Sequence, residues 1–280
     1  MADDPPPRSR AAREAAETAL VRIIHHYGER PEFVVLGGLV PELLCADNEF
    51  QHAGTTDVDV QVDLEIAYGA ANAARLERAL HNAEFVPEDG RIWRWMADGA
   101  AVRTVVKFEL LADLHNAPAS ATIKFDKCEN LGAINLRGTG FASRDIEVRD
   151  LGARIGGVVY HTQVNVAGLA GFLLAKAAAA YSRRAPKDWY DMAFVLLHND
   201  AGGPTAAAAN VRERFADDLS TIRTALDDLR ANFQTPNAQG AQAYVHQMRI
   251  DHPELDPVSL AADAVVAVQE FHRSLWPPAE

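Results

Sequence analysis

The residues best suited to chemistry are two aspartates, Asp57 and Asp59, which alternate with Val58 and Val60. On a strand, successive side chains point to opposite faces, so both carboxylates share one face while both valines enter the core. Two carboxylates this close repel each other, and a shared cation relieves that repulsion. Magnesium favours carboxylate oxygens and substrate phosphates. The spacing therefore predicts a site for a divalent cation.

A pair of glycines, Gly37 and Gly38, follows the apolar run Phe33–Leu36 upstream of the acidic pair. Glycine lets a backbone approach another group closely, because it has no side chain to collide with it. We assign both glycines, together with Thr56, to the binding of nucleotide phosphates. Combined with the acidic pair, these residues indicate metal-assisted phosphoryl or nucleotidyl transfer.

A site for such transfer commonly needs a third carboxylate, either to hold an ion or to activate the attacking hydroxyl. The candidate is Glu109, which lies between Phe108 and Leu110 in an apolar run, and Asp113 is the alternative. Lys107 would share a face with Glu109. The competing interpretation of Glu109 is therefore a plain cross-strand ion pair.

A second cluster of charged residues comprises Lys176, Arg183, Lys187, Asp188 and Asp191. Lys176 and Arg183 are seven residues apart and so lie on one side of a helix. One interpretation is structural, with Asp188 and Asp191 holding Arg183 or Lys187 in place. The other is that Lys176 reaches the triphosphate of a bound nucleotide across a cleft between two domains.

Composition narrows the class of protein. The 280 residues carry a formal net charge of −12, which argues against a surface that coats nucleic acid broadly. Two cysteines, Cys45 and Cys128, do not form a paired motif and are expected to be reduced. The sequence shows neither a secretory signal nor an apolar run that could span a membrane, so we expect a cytoplasmic protein.

The elements that must position these residues change character along the chain. Residues 1–10 are predicted to be a disordered tail. Residues 11–165 mix helices with strands, and a hairpin turn is expected at Asp98-Gly99. Residues 166–280 are mostly helical, so we predict an α+β protein with a mixed sheet followed by an α-helical domain. The predicted helices are Ala11–Tyr27, Leu39–Cys45, Ile66–Ala83, Ala167–Tyr181, Pro186–His198, Thr205–Ala231 and Val258–Leu275, and the longer predicted strands beside the acidic one are Arg91–Met96 and Ala101–Leu111.

A strand, Gly-Gly, a helix and then Thr-x-Asp-x-Asp on the next strand resemble the nucleotidyltransferase fold of polymerase-β-like enzymes. Lys176 and the run Lys187-Asp188-Trp189-Tyr190-Asp191 are similar to the AbiEii/AbiGii nucleotidyltransferases, which act as toxins in type IV toxin–antitoxin and abortive-infection systems. The resemblance covers about Phe33–Val60 and Val166–Leu197, with Glu109 between them.

The resemblance implies roles for individual residues. Gly37 and Gly38 would bind the nucleotide phosphates, and Asp57, Asp59 and Glu109 would hold Mg²⁺ or Mn²⁺, with Glu109 as third ligand or base. Lys176 and Asp191 would form the downstream pair of the family, with Asp188 as the alternative to Asp191. The catalytic set is therefore Asp57, Asp59, Glu109, Lys176 and Asp191.

The implied reaction moves a nucleoside monophosphate from an NTP to an acceptor hydroxyl. The resemblance adds the 3′ end of a tRNA as the acceptor and an antitoxin as the partner. The alternatives are a small-molecule or protein acceptor, or a non-catalytic scaffold that binds a partner. One departure from the family is the long connection between Gly38 and Asp57. Its loop Ala46–Gly54 carries His52, which is either a contact for the acceptor or part of a surface insertion.

Overall fold

The computed structural model describes residues 8–67, 69–97 and 105–277. They divide into two compact units. The first contains the described residues up to Leu39, together with Ala53–Leu136 and Val148–Asn165. The second contains Val40–His52, Arg137–Glu147 and the described residues from Val166 onward. The second unit thus takes two segments from the part of the chain that we assigned to the first domain.

The protein is α+β, with a mixed sheet and a helical part. Within the described ranges the strands are β1 (Val34–Leu36), β2 (Asp57–Gln61), β3 (Phe85–Glu88), β4 (Arg91–Ala97), β5 (Lys107–Ala112), β6 (Thr122–Lys124), β7 (Gly132–Asn135), β8 (Ile146–Ile155) and β9 (Val158–Ala167). Their main order is β3-β4-β5-β2-β1-β9-β8, and β7 pairs with β5 and β6. The sheet is mixed because β2 runs antiparallel to β1 and parallel to β5.

The helices of the described residues are α1 (Arg10–Tyr27), α2 (Val40–Leu44), α3 (Asp63–Ala67), α4 (Ala70–Asn82), α5 (Gly140–Ser143), α6 (Leu169–Arg183), α7 (Pro186–His198), α8 (Pro204–Phe215), α9 (Leu219–Ala231), α10 (Gln239–Asp251) and α11 (Pro257–Leu275). Pro186 begins α7, where its missing N–H costs no hydrogen bond. Over this part of the chain, no helix is both long and apolar enough to cross a membrane.

The prediction of a disordered tail over residues 1–10 needs correction at its end. Ser9 caps α1, since its side chain accepts a hydrogen bond from the N–H of Ala12, and Arg10 is the first helical residue. Arg8 donates its Nε–H to the carbonyl of Gly54 at 2.9 Å. These contacts order residues 8–10, whereas residues 1–7 lie outside the described residues.

Other differences from the predicted elements follow from single residues. The predicted helix Ile66–Ala83 is two helices, α3 and α4, because Gly69 adopts a positive φ of 94° before α4. A 3₁₀ turn, Ala216–Asp218, likewise splits the predicted helix Thr205–Ala231 into α8 and α9. The helix α10 was not predicted. The expected turn at Asp98-Gly99 and the first residues of the predicted strand Ala101–Leu111 lie outside the described residues.

A buried carboxylate fixes the chain where it enters β1 and then the glycine pair. Glu65 of α3 is fully buried and accepts hydrogen bonds from the hydroxyl of Tyr27 and the backbone N–H groups of Glu32 and Phe33. A buried carboxylate is tolerated when donors surround it in this way. This clamp ties the end of α1 to the strand that leads to Gly37.

Candidate active site

Asp57 and Asp59 of β2 lie on one face of the sheet, as the alternation predicts. Val58, which lies between them, and Val60, which follows Asp59, are fully buried. In the parallel pairing of β2 with β5, Asp59 lies opposite Glu109, and Asp57 lies opposite Lys107. Paired residues of neighbouring strands share a face. Asp57, Asp59 and Glu109 therefore form one group, the carboxylate cluster.

The pKa of Glu109 reflects its burial and the charges of the neighbouring residues. The pKa of Glu109 is raised to about 7. Burial is the largest cause, and the charges of Asp59 and Asp57 act in the same direction. Arg94 acts in the opposite direction, because a positive charge favours the ionised carboxylate. The cluster is thus a place where negative charge accumulates at a cost in free energy.

The structure separates the two candidates for the third carboxylate. Glu109 lies directly opposite Asp59, whereas Asp113 follows the last residue of β5. Four residues of extended chain span about 13 Å, so Asp113 lies well away from the level of Asp59. The backbone N–H of Asp113 donates instead to the carboxylate of Asp63 at 3.0 Å. Of the two candidates, Glu109 is the one that lies at the level of Asp57 and Asp59.

Arg94 of β4 is the partner of Glu109, and the sequence analysis missed it. Arg94 lies opposite Glu109 in the antiparallel pairing of β4 with β5, and its Nε is 2.6 Å from Oε1 of Glu109. The competing interpretation of Glu109 as a member of a cross-strand ion pair is therefore correct, with Arg94 as the cation, while the role of Glu109 as third ligand or base stays a prediction. An alternating strand with an arginine was visible in the sequence, but the register that joins it to Glu109 was not.

The two glycines are required by the space around them. Gly37 has a φ of +78°, and a side-chain carbon there would overlap the carboxylate of Asp59. At Gly38, a side-chain carbon would lie 2.9 Å from Cβ of Thr55 and 3.0 Å from Nη2 of Arg8. A Cβ at either position would therefore force the neighbouring side chains to move. The turn after β1 thus passes directly beside the carboxylate cluster.

Two threonines precede the acidic strand, and they differ in their contacts. The carbonyl of Thr56, which we assigned to the nucleotide, accepts a hydrogen bond from the N–H of Lys107 at 3.0 Å. The hydroxyl of Thr55 accepts a hydrogen bond from the N–H of Asp57 at 3.1 Å. Thr56 therefore links β2 to β5 through its backbone, while the Thr55 side chain fixes the start of the acidic strand.

The carboxylate cluster offers the kind of donor atom that a divalent cation binds, namely carboxylate oxygen. Oxygen ligands from Asp and Glu are those that Mg²⁺ and Mn²⁺ prefer. The guanidinium of Arg94 already supplies part of the positive charge that balances the cluster. As the side chains are placed, no three His, Cys, Asp or Glu residues in the described part of the chain are grouped to hold a metal ion. An ion held by all three carboxylates therefore requires at least one of these side chains to move.

The second unit contains a buried ion cluster, formed by Lys176, Asp188 and Asp191, with the half-exposed Arg183 at its edge. Nζ of Lys176 is 2.6 Å from Oδ2 of Asp191 and 3.2 Å from Oδ1 of Asp188. Arg183 makes two further contacts with the Asp188 carboxylate, at 2.6 and 2.7 Å. Both aspartates are fully buried. The anions that compensate Lys176 in this structure are therefore carboxylates of the protein itself.

This arrangement bears on both interpretations of the charged run. Burial by itself lowers the pKa of Lys176, but Asp191 and Asp188 outweigh it and raise the pKa above its ordinary value. Lys176 is thus held in its charged form. The structural interpretation is correct for Asp188 and Arg183, while contact of Lys176 with a triphosphate stays a prediction. Asp188 and Asp191 both contact Lys176, so these contacts do not decide which aspartate forms the downstream pair with Lys176.

His52 does not match the expectation of an accessible contact for the acceptor. Its side chain is fully buried, and Nε2 lies 2.9 Å from Oδ1 of Asp191. The backbone N–H of His52 donates to Glu42 at 2.7 Å, and the ring stacks on Tyr190 with centroids 4.9 Å apart. His52 is therefore a packed residue of the second unit and not an exposed contact for an acceptor. Other residues of the same loop are exposed, namely Ala46, Asp47, Glu49 and Gln51. A buried imidazole is tolerated here because its ring nitrogen has a carboxylate partner.

The raised pKa of Glu109 predicts how pH affects the metal-free protein. The folded protein keeps a proton on Glu109 up to about pH 7, whereas the unfolded chain releases it near pH 4.5. Stability should therefore fall as the pH rises through this window, by about 3 kcal/mol at most. Urea unfolding at pH 4.5 and pH 8 in EDTA measures the change, with Glu109→Gln as the control that lacks this contribution. An equal pH dependence in both proteins would contradict the prediction.

The structure brings the predicted residues together in two groups. Gly37, Asp57, Asp59 and Glu109 lie together in the first unit, and Lys176 contacts Asp191 in the second. The first group has the composition of a cation site, and the second is a set of neutralised buried charges. Comparison with known proteins adds no relative: no protein-family model, no curated protein and no solved structure matches this chain.

Proposed function

We propose that this protein is a nucleotidyltransferase that depends on Mg²⁺ or Mn²⁺ and has a polymerase-β-like domain. It moves a nucleoside monophosphate from an NTP to an acceptor hydroxyl and releases pyrophosphate. The observation that carries the proposal is the placement of Asp59 opposite Glu109, with Asp57 on the same face and the Gly37 turn beside them. The grouping is costly for the metal-free fold, because the charges of Asp59 and Asp57 raise the cost of ionising Glu109.

The residues of the chain divide the work as follows. Asp57 and Asp59 hold the cation, and Glu109 completes the ligand set or accepts the proton of the acceptor hydroxyl. A bound divalent ion neutralises phosphate charge and lowers the pKa of the hydroxyl that it contacts. Gly37 and Gly38 let the backbone approach the phosphates. Thr56, which we also assign to the nucleotide, directly precedes β2. Lys176 with Asp191 stays in the proposal as the downstream pair that the resemblance to AbiEii/AbiGii proteins implies.

Two classes of acceptor are compatible with the proposed reaction. The resemblance favours the 3′ end of a tRNA and a toxin that is controlled by a cognate antitoxin. The net charge of −12 favours the second candidate, transfer to a small molecule or a protein, because an acidic surface repels a polynucleotide. Both candidates use the same carboxylates and differ only in the hydroxyl that attacks.

Labelled NTPs test the proposal. Each NTP is incubated with the protein and Mg²⁺, with and without total tRNA, alongside Asp57→Ala and the control Asp89→Ala in the turn between β3 and β4. We expect pyrophosphate release by the wild type and the control, and its loss in Asp57→Ala. Label in tRNA identifies that acceptor, and label elsewhere identifies the second candidate. If no NTP yields pyrophosphate and calorimetry detects no binding of Mg-NTP, the proposal is wrong.

A further inference from the structure

Arg94 occupies a special place in the sheet. Arg94, Glu109 and Asp59 lie opposite one another across three neighbouring strands, β4, β5 and β2. The Arg94 and Glu109 side chains are only 20% and 17% exposed, so water screens their ion pair weakly. The guanidinium therefore faces the carboxylate cluster at the level where a cation would have to bind.

Arg94 is also held by contacts that do not involve Glu109. Its Nη1 lies 3.2 Å from Oε2 of Glu88, and its guanidinium lies over the ring of Trp93, 4.7 Å from the centroid. A carboxylate and an aromatic face both stabilise a guanidinium. These contacts can keep Arg94 in place when Glu109 turns to another cation.

We propose that Arg94 is the built-in counter-cation of the carboxylate cluster and a positioning residue for Glu109. Without a metal ion, Arg94 neutralises part of the cluster and keeps Glu109 directed toward β4. A divalent cation and Arg94 then compete for the Glu109 carboxylate, so Arg94 weakens metal binding while it stabilises the metal-free protein. The inference rests on the proposed function, because it needs a cation at the cluster.

The affinity for Mn²⁺, measured by calorimetry, tests the competition. In Arg94→Gln, which removes the charge, we expect Mn²⁺ to bind about tenfold more tightly, equivalent to about 1.4 kcal/mol. Arg94→Lys keeps a charge and should remain close to the wild type. The matched control is Arg91→Gln on the same strand, since Arg91 contacts Glu88 at 2.9 Å and lies over Trp93. Its Mn²⁺ affinity should not change.

Melting temperatures in EDTA test the other half of the proposal. Arg94→Gln should lower the melting temperature of the metal-free protein, and most of that loss should disappear in the Glu109→Gln background. A double-mutant cycle of this kind isolates the interaction between the two side chains. Circular dichroism of each variant establishes that it is folded. Additive effects of the two substitutions would overturn the proposal.

The outcomes separate this inference from the proposed function. If the wild type binds Mn²⁺ and Arg94→Gln binds it equally or more weakly, Arg94 does not compete with the ion, and only the inference is wrong. If neither protein binds Mn²⁺, the proposed function fails and the inference fails with it. Tighter binding by Arg94→Gln together with coupling to Glu109 supports both.

Discussion

Asp59→Asn is expected to abolish nucleotidyl transfer, by at least about a thousandfold, and to raise the melting temperature of the metal-free protein. The expected loss of activity follows from the proposed function, which assigns Asp59, between Gly37 and Glu109, to the cation. A thousandfold loss corresponds to about 4 kcal/mol of transition-state stabilisation. Pyrophosphate release under saturating NTP and Mg²⁺ measures it.

The expected gain in stability comes from the removal of one of several neighbouring negative charges. Asp59 raises the cost of ionising Glu109, and asparagine has nearly the same shape without the charge. The metal-free protein should therefore melt at a higher temperature once one of the three like charges is removed. Asp150→Asn, at an exposed position on β8, is the control and should change neither quantity. A lower melting temperature for Asp59→Asn would make Asp59 a structural residue, and its loss of activity would then carry no information about catalysis.

Lys176→Met is expected to destabilise the protein by about 3–5 kcal/mol. The substitution keeps most of the side-chain volume but leaves the buried carboxylates of Asp188 and Asp191 without the cation between them. Urea unfolding at pH 7 measures the loss. Asp191→Asn in the Lys176→Met background should recover part of it, because Asp188 still has Arg183 as its partner while the buried charge of Asp191 is then removed.

The control for Lys176 is Lys187→Met, an exposed position on α7, where a change within about 0.5 kcal/mol is expected. Wild-type stability of Lys176→Met would contradict the role of Lys176 in the buried ion cluster. The prediction also limits how activity data can be interpreted. A Lys176 variant that loses activity is evidence for phosphate binding only when its folded fraction is unchanged.

Local sequence patterns predicted the parts of the fold that depend on neighbouring residues. The alternation of Asp57 and Asp59 with valines is correct because the two-residue period of a strand is a property of the backbone. The predicted end of α1 at Tyr27 and the predicted start of α7 at Pro186 are correct, because Gly28 adopts the left-handed conformation that glycine favours and proline suits the first turn of a helix. Glu109 was recognisable because a carboxylate in an apolar strand is costly unless it has a partner.

The tertiary structure alone decided which partners these residues have. Strand register brings Arg94 and Asp59 to Glu109 and leaves Asp113 at a different level. Packing of α6 and α7 places Lys176 between two aspartates. Contacts of this kind join residues that are distant in the chain, and no local period encodes them. The sequence therefore determined which side chains face one side of each element, and only the assembled sheet and helices determined which charges meet.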